Sequence, residues 1–169
     1  MASTTLIPVS EYVGTSYRPD CDYVDGVVLE RNLGEKDQSG LQGAITAWFR
    51  QHRAEWNIRV YPELRVQVSP TRFRVPDVCL IARDAPDEQI ITHPPVACIE
   101  ILSRRDTVNG MQERVEDYQK FGVENIWVID PAARRGYDYK PGAIFEVLEF
   151  GVANTPIKSV LADIFADLD

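Results

Sequence analysis

Two hydrophobic periods alternate along the chain, and the switches between them mark its elements. Leu41, Ile45, Trp48 and Phe49 fall at helical spacing and form one apolar stripe, with Ser39 as the expected N-cap. From Trp56 the period drops to two. Ile58 and Val60 alternate, then Leu64, Val66 and Val68, and the turn signal Ser69-Pro70-Thr71 precedes Phe73, Val75 and the run Val78-Cys79-Leu80-Ile81. Residues 82–95, acidic and proline-containing, predict an exposed connection. Val96 to Leu102 is a near-continuous apolar run, the pattern of a central strand covered on both faces.

Helical spacing returns from Asn109 to Phe121, with Met111, Val115 and Tyr118 inward and Gly122 at the C-terminal cap. Ile126-Trp127-Val128-Ile129 predicts a further buried strand, ended by Asp130-Pro131. Hairpins are expected around Asp25-Gly26 within Tyr23–Glu30, and across Pro141-Gly142 between Tyr137–Tyr139 and Ile144–Phe150. Ser10-Glu11-Tyr12 predicts a short helical turn, Ile157 a strand end and Leu161–Leu168 a closing helix. The order predicts an α/β fold: a mixed β-sheet core flanked by helices, with extra N- and C-terminal β-hairpins.

At 169 residues, with no linker or repeat to divide it, the chain is expected to form one domain over 1–169. No apolar run approaches the ~20 residues that span a bilayer, and Met1–Pro8 lacks the basic start and apolar stretch of a signal peptide. A cytoplasmic protein without a membrane partner is therefore expected. Cys21, Cys79 and Cys98 match no zinc spacing, and Cys79 and Cys98 predict reduced core residues. The two histidines, His52 and His93, are too few for a His-rich metal site. A net charge of −8 argues against a surface given over to nucleic acid. Arg72, Arg74, Arg104, Arg105 and Arg114 offer either a local basic cluster that reverses the field in one cleft or a solvated rim.

The candidate chemistry lies in two carboxylates set in strand-like runs: Asp77 in Val75-Pro76-Asp77-Val78 and Glu100 in Ile99-Glu100-Ile101. A carboxylate is costly to bury unless its charge is compensated. An antiparallel pairing of the two runs brings the acids together. With the Ile101 carbonyl, they then suit Mg²⁺ or Mn²⁺, and Glu63 in Tyr61-Pro62-Glu63-Leu64 offers a third oxygen ligand. Phosphodiester hydrolysis is the reaction such a site fits best. The competing explanation is that Asp77 and Glu100 cap turns or pair with Arg74 or Arg104.

In order, Tyr23-Val24-Asp25-Gly26, Pro62-Glu63-Leu64-Arg65-Val66, Val75-Pro76-Asp77-Val78, Ile99-Glu100-Ile101-Leu102-Ser103, Tyr118-Gln119-Lys120-Phe121-Gly122-Val123 and Trp127-Val128-Ile129-Asp130-Pro131 resemble the Uma-two family of bacterial endonucleases. That family is of the PD-(D/E)xK, restriction-endonuclease-like type. The resemblance implies a restriction-endonuclease-like core, Mg²⁺-dependent DNA cleavage, and a homodimer in which the C-terminal hairpin (Tyr137, Tyr139, Phe145) supplies the interface. Asp77 and Glu100 take the positions of the two metal-binding acids, and Glu63 matches a third acidic position. Where the motif has lysine this chain has Leu102. Members supply the lysine from the following helix, where Arg114 stands, and Gln38 stands where many carry histidine. Arginine keeps the charge and can hold a phosphate, but it does not serve as a general base. The resemblance thus implies a metal-dependent endonuclease, or alternatively an inactive nuclease-fold binding or scaffold protein. Glu30 is a weaker candidate for the metal, Asp106 for the loop cap or a hold on Arg114, and Lys120 reads as surface.

Overall fold

A computed structural model describes residues 4–31 and 34–169. The readings on Met1–Ser3 and on Asn32 and Leu33, the start of the polar lead-in to the first long helix, lie outside the described residues. The elements run α1 (Val9–Val13), β1 (Asp22–Val24), β2 (Val27–Leu29), α2 (Lys36–Gln51), β3 (Ile58–Pro62), β4 (Val66–Ser69), β5 (Arg72–Arg74), β6 (Val78–Ala82) and β7 (Ala97–Ile101). They continue with α3 (Val108–Phe121), β8 (Asn125–Asp130), β9 (Arg135–Lys140), β10 (Ala143–Val147), β11 (Glu149–Gly151), β12 (Lys158–Val160) and α4 (Leu161–Ala166).

The main sheet has six strands in the order β10-β9-β8-β7-β6-β3. Among the described strands of this sheet, only β7 and β8 pair in parallel. Parallel neighbours need a crossover, and α3 provides it. Thr107 starts that helix, its hydroxyl accepting the Gly110 N–H at 3.0 Å. Gly122 ends it at φ +103, a left-handed conformation that costs glycine little.

Because side chains alternate across a strand, β6 and β7 feed two cores. Val78, Leu80, Ile99 and Ile101 face α2 (Leu41, Ile45, Phe49) and α4, with Trp127 and Phe150 in the same cluster. Cys79, Ile81 and Cys98 face α3 (Met111, Val115, Tyr118). All three cysteines are buried free thiols. Asp77 and Glu100 have the parity of Cys79 and Cys98, which places both acids on the α3 side.

A second sheet, β2-β1-β5-β4, carries the N-terminal hairpin. Tyr12 of α1 packs there against Tyr23 and Phe73. Several expected boundaries move. The first long helix begins at Lys36 with Glu35 as N-cap, so Ser39 lies inside its first turns. Leu64 follows Glu63, whose φ of +53 breaks the chain between β3 and β4. Phe73 and Val78 belong to different sheets, because Pro76 has no N–H to donate to a continuous ladder. The stretch 144–150 divides at Leu148 into β10 and β11. Among the described residues, no helix is long and apolar enough to cross a membrane.

Candidate functional site

β6 and β7 are antiparallel, with Val78 opposite Ile99. Carried one residue outward, that register sets Asp77 opposite Glu100 at the end of the ladder. Asp77 is 4% exposed and Glu100 fully buried. Each carboxylate oxygen has a donor. Asp77 Oδ2 accepts the Ile101 backbone N–H at 2.7 Å and Oδ1 accepts Arg31 Nη2 at 2.7 Å. Glu100 Oε1 accepts the Tyr118 hydroxyl at 2.5 Å and Oε2 accepts Arg114 Nη1 at 3.0 Å. Neither acid pairs with Arg74 or Arg104, the partners considered from sequence. Their cations are Arg31 and Arg114.

These pairs extend into a chain of alternating charge. Arg114 also donates through Nε to Asp22 Oδ2 at 3.0 Å. The same oxygen accepts Arg74 Nη1 at 3.1 Å, while Asp22 Oδ1 accepts the Val75 N–H at 2.9 Å. Arg74 Nε reaches Asp117 Oδ2 at 2.7 Å, and Arg72 joins Asp117 (2.9 Å) to Asp25 (2.8 Å) at the surface. The arginines proposed as a basic cluster are therefore divided: Arg72, Arg74 and Arg114 are paired to acids, and Arg104 and Arg105 are exposed. Asp22, Asp117, Arg74 and Arg31 all have nearly buried side chains.

Glu63 stands at the edge, its side chain 36% exposed. Arg31 Nη1 lies 3.7 Å from Glu63 Oε1. Gln42 Nε2 donates to the Asp77 backbone carbonyl at 3.0 Å and is 3.4 Å from Glu63 Oε1. Gln38 Nε2 is 3.4 Å from the Ile101 carbonyl oxygen, so the carbonyl counted as a metal ligand from sequence already faces an amide donor. Asp106 caps its own loop, accepting the Ser103 N–H at 2.7 Å. Glu30 is exposed at the rim of a notch of about 170 Å³ that Arg31, Arg74, Arg114 and the first turn of α3 also line. Lys120 is outside these contacts, and Leu102, in the motif lysine's place, packs against the core on the α3 side.

Burial is the largest influence on Glu100. It pushes the carboxyl up to about 7; Arg114 and Tyr118 oppose the rise and Asp77 adds to it. Asp77 is raised in the same way by burial, against the pull of Arg31 and the Ile101 N–H. A pKa higher in the folded than in the unfolded chain gives stability that is full below the unfolded value, ordinarily 4.5 for Glu, and lost as pH rises through 7. Relative to wild type, Glu100→Gln should therefore gain stability from pH 5 to pH 8, by on the order of 1–3 kcal/mol. Urea unfolding of both proteins at the two pH values measures this; a difference that stays flat, or moves the other way, refutes the shift.

A divalent ion does not fit these residues as they are placed. An ion takes carboxylate oxygens at ~2.0–2.1 Å for Mg²⁺. Here each oxygen of the acid pair is held by a guanidinium, a hydroxyl or a backbone N–H. Among the described residues, no three His, Cys, Asp or Glu side chains are grouped to share an ion.

Sequence reasoning missed Arg31, Asp22 and Asp117 as partners of the site. Asp22 had a signal, a charged residue next to the strand-like Tyr23-Val24. Arg31 had none, since it lies 46 positions from Asp77.

A family model described as "Putative restriction endonuclease" (Uma2) matches residues 12–160. Among solved structures, the chain is similar to "a putative nuclease belonging to DUF820 from Anabaena variabilis ATCC 29413", with a TM-score of 0.79 and 19% identity over 96% of this chain and 99% of that one. That likeness establishes the fold as the nuclease-type α/β fold expected from sequence. The chain also overlaps 11% of a chain in a DrdV–DNA complex, with 78% of its own length, a TM-score of 0.46 and 14% identity. No curated protein matches.

Proposed function

The chain belongs to the Uma2 family of restriction-endonuclease-like proteins, and on that premise we propose that it acts on the phosphodiester backbone of DNA, as an endonuclease. The observation that carries this reading is the acid pair: Asp77 and Glu100 buried side by side at the end of β6 and β7, with Arg114 reaching Glu100 from α3. A buried carboxylate pair at a sheet end is costly to maintain, and it stands where the resemblance puts the two acids of the nuclease motif. Families of this type usually depend on a divalent metal, Mg²⁺ or Mn²⁺. In this chain the roles that the residues themselves support are narrower. Arg114 holds Glu100 in place, and its planar guanidinium suits a phosphate oxygen. Glu100, with its pKa near neutrality, can hold or release a proton at physiological pH.

The test is a cleavage assay on single-stranded, duplex and branched DNA, with Mg²⁺, Mn²⁺ or EDTA. Cleavage that Asp77→Asn lowers by about a hundredfold or more, in a variant that remains folded, is the expected result. A second reading is a nuclease-fold protein that binds without cutting, favoured by the donors already engaging all four oxygens of the acid pair. Absence of cleavage in every arm, with DNA retained in a binding assay, selects that reading.

Cutting both strands of a duplex takes two sites, so a homodimer belongs to the first reading. Tyr137 and Tyr139 pack toward the α3 core, leaving Ile144 and Phe145 of β10, 59% and 53% exposed, as the candidate contact. A monomeric mass by light scattering at micromolar concentration removes it.

A further inference from the structure

We infer that Arg31 is a resident counter-ion of the site acids, its guanidinium set between Asp77 and Glu63 so that it keeps a divalent cation off them. Its side chain is 4% exposed, an uncommon burial for arginine. Nη2 lies 2.7 Å from Asp77 Oδ1 and Nη1 lies 3.7 Å from Glu63 Oε1, so the group sits between two of the three acids that the sequence offers as metal ligands. Among the described residues Nη1 has no hydrogen-bond partner, although it is shielded from solvent. The pull on it is therefore electrostatic, toward Glu63.

Arg114 plays the matching part on Glu100, but it is shared with Asp22 and rides on a helix fixed by its own cap. Arg31 is anchored differently. It follows β2 and reaches the acid pair from outside the main sheet. An ion bound to Asp77 Oδ1 would have to displace Arg31 Nη2 and would then face a second positive charge a few ångströms away in a poorly solvated site, where repulsion is weakly screened. Arg31 thus sets the selectivity of the pair for a guanidinium over a divalent ion. Removing its charge while keeping its bulk should open a metal site.

This inference rests on Asp77 and Glu100 being the site acids; it does not require that the protein cut DNA. Mn²⁺ is the probe. Loss of its free-ion paramagnetic resonance signal reports binding, and thermal unfolding in Mn²⁺ against EDTA gives a second readout. Wild type is expected to leave the signal unchanged into the millimolar range. Arg31→Met is expected to bind Mn²⁺ at least about tenfold more tightly, with a rise in melting temperature, and Arg31→Met/Asp77→Asn to lose both effects. Wild-type binding that Asp77→Asn abolishes overturns the inference. So does a folded Arg31→Met variant that binds no Mn²⁺, or one whose binding survives the second substitution. If Arg31→Met does not fold, Arg31→Gln, which keeps one donor for Asp77, is read by the same criteria. Mn²⁺ uptake by the variant, together with no DNA cleavage by wild type in any arm, would uphold Arg31's role and count against the endonuclease reading alone.

Discussion

Arg74→Ala is expected to destabilise the protein by about 3 kcal/mol or more, through charge more than through packing. Arg74 is 3% exposed and bonded to two acids that are almost as buried, Asp22 on β1 and Asp117 on α3. Removing it leaves those carboxylates facing each other without the cation between them. The loss belongs near the lower end of the 3–5 kcal/mol typical of a broken buried pair, because Asp22 keeps Arg114 and Asp117 keeps Arg72. Two further variants separate the causes. Arg74→Met preserves the aliphatic stem and should be nearly as damaging as alanine. Arg74→Lys restores the charge without the forked geometry and should recover part of the loss. Urea denaturation measures all three, and an alanine effect below about 1 kcal/mol would mean that the pairs add nothing beyond their surroundings.

Trp127→Ala should cost about 3–5 kcal/mol. The indole is fully buried on β8, stacked on Phe150 at 4.9 Å and 6° and close to parallel with Phe49 of α2 at 6.2 Å and 20°. It therefore joins three layers: the main sheet, the helix on its face, and the C-terminal segment β11. Alanine leaves a void that none of the three can fill alone. Trp127→Phe is expected to cost far less, under about 1.5 kcal/mol, since it keeps a ring in the stack. It also removes an indole N–H that is buried without a hydrogen-bond partner among the described residues. Comparable losses in the two variants would show that the stack is not what Trp127 contributes.

The two long helices and the central strands were legible because their cores impose a period. Leu41, Ile45 and Phe49 repeat at helical spacing, and the β7 run is apolar because both of its faces are covered. The acids were legible for a related reason, since a charge inside such a run needs an explanation. Its partner is another matter. Arg31 bonds Asp77 across 46 positions and Arg74 bonds Asp22 across 52, and no local pattern records a pairing of that range. The division of Phe73 from Val78 between two sheets was hidden because strand-like apolar residues flank Pro76 on both sides, Phe73 and Val75 before it and the run Val78–Ile81 after it. Ser39 is a good capping residue, but the helix starts earlier, at Lys36 after the extended N-cap Glu35, and the polar residues between carry no apolar stripe.

The alternating chain of charges also ties the cooperativity of folding to the site. Asp22 and Arg74 lie on adjoining strands, β1 and β5, of the small sheet, and both are bonded to α3, through Arg114 and Asp117. A local opening that lifted this sheet away would strip α3 of these links and of the bonds from Arg72 of β5 to Asp117 and Glu113. It would leave Arg114 with Glu100 as its one remaining acid. Amide exchange should therefore find β1 and β5 opening together with the middle of α3 around Arg114 and Asp117, as a single unit whose release loosens the acid pair. The N-terminal sheet, short and peripheral as it is, then acts as the clamp that decides how often the buried carboxylates meet water.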